Sequence, residues 1–144
     1  TGPAQKVVDE IRAKGGQAVA NTDSVATWMS ANAIIKTAID SFGRIDCVIN
    51  NAGILRDRMF FKMNPEEWQA VIDVNLTGVF LCGREAAERM IVKGNPGVII
   101  NISSISRAGN AGQTQPIGHL GHELADGDGV EMQIAQHAAV VLHR

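Results

Sequence analysis

Apolar positions along this chain fall into two alternating rhythms from the start to about residue 115. Val7, Val8 and Ile11 share one helical face between Pro3, which suits a first helical turn, and the Gly15-Gly16 stop, so the spacing predicts a helix over 3–14. Residues 17–20 read as a short strand. Ala31, Ile34, Ile35, Ala38, Ile39 and Phe42 then keep a helical period and predict a helix over 25–42, ended by Gly43. Residues 45–49 form a compact apolar run, the pattern of a parallel strand covered on both faces, closed by Asn50-Asn51-Ala52-Gly53. Asn64 before Pro65, with Glu67 three residues on, is a capping signal. The stripe Trp68, Val71, Ile72, Leu76, Val79 and Phe80 carries that helix to about Met90. Residues 97–102 read as another buried strand, after which Ser103-Ser104 opens a loop rich in Gly, Asn and Ser.

Helix and strand patterns in alternation predict an α/β fold with parallel pairing and right-handed crossovers. No internal repeat is visible. After Gln115 the character changes: residues 116–144 contain all four histidines and no Lys. Met132, Ile134, Ala135, Ala138, Val141 and Leu142 suggest a helix over 130–142, behind a stretch broken by Gly118, Gly121, Gly127 and Gly129. The expected organisation is one unit over 1–115 and a divergent tail over 116–144.

With 144 residues, 45 % hydrophobic and 19 % charged, the chain has the profile of one globular domain. Thirteen Lys plus Arg against fifteen Asp plus Glu leave a formal charge of −2 without a basic block, which argues against nucleic acid as partner. No apolar run approaches the roughly 18 residues of a membrane span, and the expected location is cytoplasmic, with an organelle such as the peroxisome or mitochondrion as the alternative. Cys47 and Cys82 have no CxxC spacing and both read as buried thiols. His119-Leu120-Gly121-His122-Glu123 is not HExxH, and Asp126-Gly127-Asp128-Gly129 lacks the ligand order of a calcium loop, so no metal site is expected. The chain contains no tyrosine, which removes any phenol-based acid or base.

In an open α/β sheet, ligands bind beyond the carboxyl ends of the strands. Three polar clusters fall there: Asn21-Thr22-Asp23-Ser24, Asn50-Asn51-Ala52-Gly53 and Asn101-Ile102-Ser103-Ser104. Singly, each has a plain explanation as helix caps, turn formers or solvated loop residues. Their order, together with Val74-Asn75-Leu76-Thr77-Gly78 inside the long helix and Gly109-Asn110-Ala111-Gly112-Gln113 further on, resembles the short-chain dehydrogenase/reductase family from about residue 4 to 115. Residues 19–25 and 51–58 look most like its 3-hydroxyacyl-CoA dehydrogenases and 3-oxoacyl-thioester reductases.

The resemblance implies a partial Rossmann-like doubly wound parallel sheet with three of the family's strands present and its first two preceding Thr1. It implies NAD or NADP as cofactor and hydride transfer at C3 of an acyl thioester, with no membrane partner. It also implies a homo-oligomer paired through the 65–90 helix. By that likeness Asp23, beside Ser24, would accept from the adenine amino group. Asn50, Asn51, Ala52 and Gly53, with Val74, would line the cofactor, the small residues admitting close approach and the Asn50 amide bridging strands.

Asn75 would hold a water in a proton relay, against the simpler role of an amide bonded to a nearby carbonyl; unpaired, it would cost about 1–3 kcal/mol. Gly78 and Gly83 each cost that helix roughly 1 kcal/mol of propensity, which predicts close packing at both. Ser104 matches the serine that would polarise the substrate oxygen, with Ser103 one register away. Arg56-Asp57-Arg58 could meet a phosphate-bearing carrier or be a charged surface loop.

The family's Asn-Tyr-x-x-x-Lys would begin at Gln115, but Pro116 stands in the Tyr position, Leu120 in the Lys position, and no Lys follows Lys93. The expectation is therefore an inactive fragment whose tail departs from the family through a shifted frame, an alternative exon or a junction, with poor solubility or rearranged strand pairing where neighbours are missing. The alternative is a non-catalytic module that associates through the long helix.

Overall fold

The computed structural model describes residues 2–56 and 58–103, and the backbone of 139–143. Helix α1 (Pro3–Ala13) starts on Pro3 and ends where Gly15 takes φ 82°. It buries Ala4 and Val8 and leads into β1 (Gln17–Asn21), whose Ala18 carbonyl accepts from Arg12 Nη2 at 2.8 Å.

Helix α2 (Trp28–Phe42) begins three residues later than its apolar stripe suggests, because Thr27 is the cap that accepts from Ser30 N. The stripe itself is the buried face: Ala31, Ile34, Ile35 and Ala38 all point inward, and Gly43 closes the helix at φ 78°. Strand β2 (Cys47–Asn50) pairs in parallel with β3 (Val98–Asn101), Cys47 opposite Val98 and Asn50 opposite Asn101. Val98 N donating to Asp46 O and Ile102 N to Asn50 O extend the ladder at both ends.

Between them the long helix is not continuous. Helix α3 (Pro65–Ile72) passes through a π-helical turn (Asp73–Thr77) into α4 (Gly78–Lys93). A π turn takes up about one extra residue, so a stripe read at constant period across it drifts: Val71 is buried, but Phe80 is 61 % exposed while Leu81 and Cys82 face inward. The core lies where α2 and α4 meet β2, with Ile35, Ala38, Ile45, Ala86 and Met90 in one cluster and Ala31, Leu81 and Cys82 in another.

Several expectations are corrected here. Among the described residues the β2–β3 pair is covered on one face, where Val48 packs against the α2–α4 core. Alternation and register put Cys47, Ile49, Val98 and Ile100 on the other face, where Ile49 is 41 % and Val98 57 % exposed. Cys47 is accordingly exposed, and only Cys82 is buried. The rearranged pairing expected where neighbours are missing is present: β1 does not join β2 and β3 but pairs with β4 (Ala139–His143), antiparallel, in a sheet of its own. The expected 130–142 helix is contradicted at 139–143, since Val140 and Val141 are β-branched and β1 offers an unpaired edge; residues 130–138 lie outside the described residues. No helix among the described residues is long and apolar enough to cross a membrane.

Candidate functional site

Polar side chains gather at the carboxyl ends of the strands. At the tip of β1, Asn21 Oδ1 accepts from Asp23 N at 2.8 Å, an Asx turn that folds the chain back. Asn21 Nδ2 donates to Asp23 Oδ2 and to Thr37 Oγ1, each at 2.9 Å, so the exposed Asp23 carboxylate is aimed by an amide anchored on α2. Ser24 Oγ accepts from Ala26 N at 3.2 Å. Neither Asp23 nor Ser24 caps α2, since Thr27 does.

At the paired tips of β2 and β3, Asn50 Nδ2 donates to Asn101 Oδ1 at 2.9 Å, tying the two strand ends side chain to side chain. Asn51 and Gly53 follow half-buried, with Ala52 exposed between them. A Cβ built on Gly53 would stand 3.7 Å from Asn75 Oδ1, an ordinary contact, so this backbone runs directly against the helix.

Asn75, beside half-buried Val74, sits in the π turn and reaches that loop in both directions. Its Oδ1 accepts from Ile54 N at 2.9 Å and its Nδ2 donates to Ile54 O at 3.0 Å, so each end of the amide has a backbone partner. Three residues on, Gly78 packs on Val25 in the loop after β1. A Cβ there would lie 2.8 Å from Val25 Cγ2 and 3.1 Å from its carbonyl oxygen. The close packing expected of Gly83 is not found: a Cβ there would meet Asn50 Nδ2 at 3.8 Å and Ile99 Cγ2 at 3.9 Å, contacts of normal length.

The tips of β2 and β3 thus join directly, whereas the loop after β1 packs through Val25 on Gly78 at the start of α4. Ser103 is exposed at the end of the described β3 segment; Ser104 lies outside the described residues, as does Asp57. Arg58 is engaged with the Glu67 carboxylate rather than free for a carrier.

One polar group that the sequence reading missed is Glu85, 4 % exposed between α2 and α4. Its carboxylate accepts from Asn32 Nδ2 at 2.7 Å and from Arg84 Nη1 at 2.8 Å, and the Arg84 guanidinium stacks over Trp28, 4.4 Å from the ring centroid. Its signal was an acidic residue three and four positions after buried Cys82 and Leu81. Cys82 is no nucleophile: burial pushes its thiol pKa up to about 11. The strand tips offer amides, small residues and one exposed carboxylate, groups able to hydrogen-bond a polar ligand.

Comparison with known proteins bears on what these strand tips are for. Residues 1–116 match the short chain dehydrogenase family. Over 111 residues the chain is 50 % identical to a 3-oxoacyl-[acyl-carrier-protein] reductase of Synechocystis sp., covering 76 % of this chain and 44 % of that protein. It is 51 % identical over 111 residues to the peroxisomal multifunctional enzyme type 2 of Mus musculus, covering 76 % of this chain and 15 % of that one. Among solved structures, a short chain dehydrogenase from Mycobacterium avium superposes with TM-score 0.70 at 44 % identity, over 79 % of this chain and 41 % of that chain. The chain spans less than half the length of each of these relatives.

Proposed function

The chain belongs to the short-chain dehydrogenase family and lies close to its 3-oxoacyl reductases, and from that premise we propose that it carries the inner part of an NAD(P) crevice whose intact parent moves hydride at C3 of a 3-oxoacyl or 3-hydroxyacyl thioester. The observation that carries this reading is the double clamp at the strand tips, Asn50 on Asn101 and Asn75 on Ile54. It fixes the backbone of 50–54 in an open, small-residue form along which a dinucleotide can lie.

The bound cofactor supplies the hydride chemistry; this chain's residues bind and orient. Asp23, aimed by Asn21, accepts from an exocyclic amine, with Ser24 beside it. Asn51, Ala52 and Gly53 give the ribose side a backbone wall, Val74 backs it, and Asn50 keeps the strands in register. Asn75 supports the relay through its position in the π turn, because its side-chain amide is already engaged with Ile54. Ser104 polarises the substrate oxygen in the parent.

With no tyrosine in the chain and Leu120 in place of the lysine, we expect no turnover. Cofactor titration followed by an NADH or NADPH consumption assay with an acetoacetyl thioester tests the reading. Binding that weakens on Asp23→Ala, without turnover, supports it; a rate abolished by Ser104→Ala overturns the inactivity, and no cofactor binding at all overturns the crevice.

A second reading is favoured by the exposed Trp68 and Phe80 on the 65–90 helix, 41 % and 61 % exposed. Here the chain is a non-catalytic module that pairs through that helix. Assembly in light scattering without cofactor binding would favour it.

A further inference from the structure

The match to the family ends at residue 116, yet a described strand lies beyond it. β4 runs antiparallel on β1 along its whole length, from Gln17 opposite His143 to Asn21 opposite Ala139. Among the described residues β1 has no other strand partner. An extended segment that supplies a ladder to an otherwise open edge is strand addition, here performed by the chain on itself. The register sets Val19 opposite Val141 and Ala20 opposite Val140, and the two successive valines of the added segment are residue types that favour strands.

We propose that the β1 edge is a strand-addition site for an extended apolar segment, and that residues 139–143 of the same chain are its resident occupant. They seal an edge that would otherwise recruit strands from other copies. The strand is only 5 residues long, so the new edge it creates is a poor template for further pairing.

The first test is Val140→Pro with Val141→Pro in the full chain. Of two successive strand residues one amide points to each side, so the pair removes a ladder donor in either phase. Amide exchange over 17–21 should become at least about tenfold faster, with larger species in light scattering, while α2 and β2 keep their protection. Unchanged exchange at 17–21 overturns the proposal.

A second test holds even where the proline variant loses its fold. In a Cys47→Ser background, Val19→Cys with Val141→Cys places two thiols at facing register positions. An intramolecular disulfide in the monomer supports the proposal. An intermolecular bond, showing exchange of strands between copies, or no bond at all, overturns it.

Discussion

Asn75 and Ile54, 21 residues apart, hold each other in both directions: the Asn75 carboxamide accepts from the Ile54 amide at 2.9 Å and donates to the Ile54 carbonyl at 3.0 Å. A carboxamide pairing with one residue's N–H and C=O reproduces the pattern of a strand neighbour, so it can stiffen a loop that has no ladder of its own. Asn75→Ala leaves both backbone groups of Ile54 without that partner and should cost about 1–3 kcal/mol, read in denaturant melts, with fast exchange at the Ile54 amide. Asn75→Asp keeps the acceptor and loses the donor, so it should fall between parent and alanine variant; equal stability of all three would show the clamp to be idle.

Gly78 and Gly83 lie in the same helix and should respond oppositely to alanine. At Gly78 the new methyl meets Val25 Cγ2 at 2.8 Å and the Val25 carbonyl oxygen at 3.1 Å, and backbone cannot swing away like a side-chain end. Gly78→Ala should therefore destabilise by about 1–3 kcal/mol. At Gly83 the nearest atoms stand at 3.8 and 3.9 Å, so Gly83→Ala should stabilise by up to about 1 kcal/mol through helix propensity. Thermal melts of the two variants decide it, and matching shifts would contradict the packing.

Much of this was legible in the chain. The inward face of α2 is the stripe Ala31, Ile34, Ile35 and Ala38, because a regular helix against one core repeats its period faithfully. The Asn64–Glu67 box formed as its spacing suggests. What escaped were features set by partners. The π turn at Asp73–Thr77 breaks the period without a Gly or Pro to mark it, and it turned Phe80 outward. The apolar strand run holding Cys47 and Ile49 says that a strand exists, not how many faces are covered. Which neighbour β1 takes was open to any extended segment, and the tail supplied it. Among the candidate site residues, the position at a strand tip was readable from the polar break after each apolar run, whereas the Asn50–Asn101 and Asn75–Ile54 bonds required the fold.

The two cysteines should separate cleanly under a thiol reagent. Cys47 is exposed on β2, while Cys82 is buried with its thiol raised to about 11. Since the thiolate is the reacting form, native protein at neutral pH should take one label, at Cys47, and a second only in denaturant. Peptide mapping after alkylation checks it; early label on Cys82 would mean that the α2–α4 core opens readily.

Glu67 makes the stability of the α3 start depend on pH. Its carboxylate accepts from the Asn64 backbone at 3.2 Å and is joined by the Arg58 side chain, and these bonds, the backbone one first, hold its pKa below the ordinary carboxylate value. A depressed folded-state pKa means that the stabilisation is fully present above the unfolded-state value and lost as pH falls through the folded one. Glu67→Gln can keep the capping geometry, since glutamine also serves the box, but it removes the charge. The variant should be less stable than the parent at neutral pH, and the gap in urea midpoints should close as pH drops below the usual carboxylate range. A gap that persists unchanged in acid would assign the effect to shape and not to the ionised carboxylate.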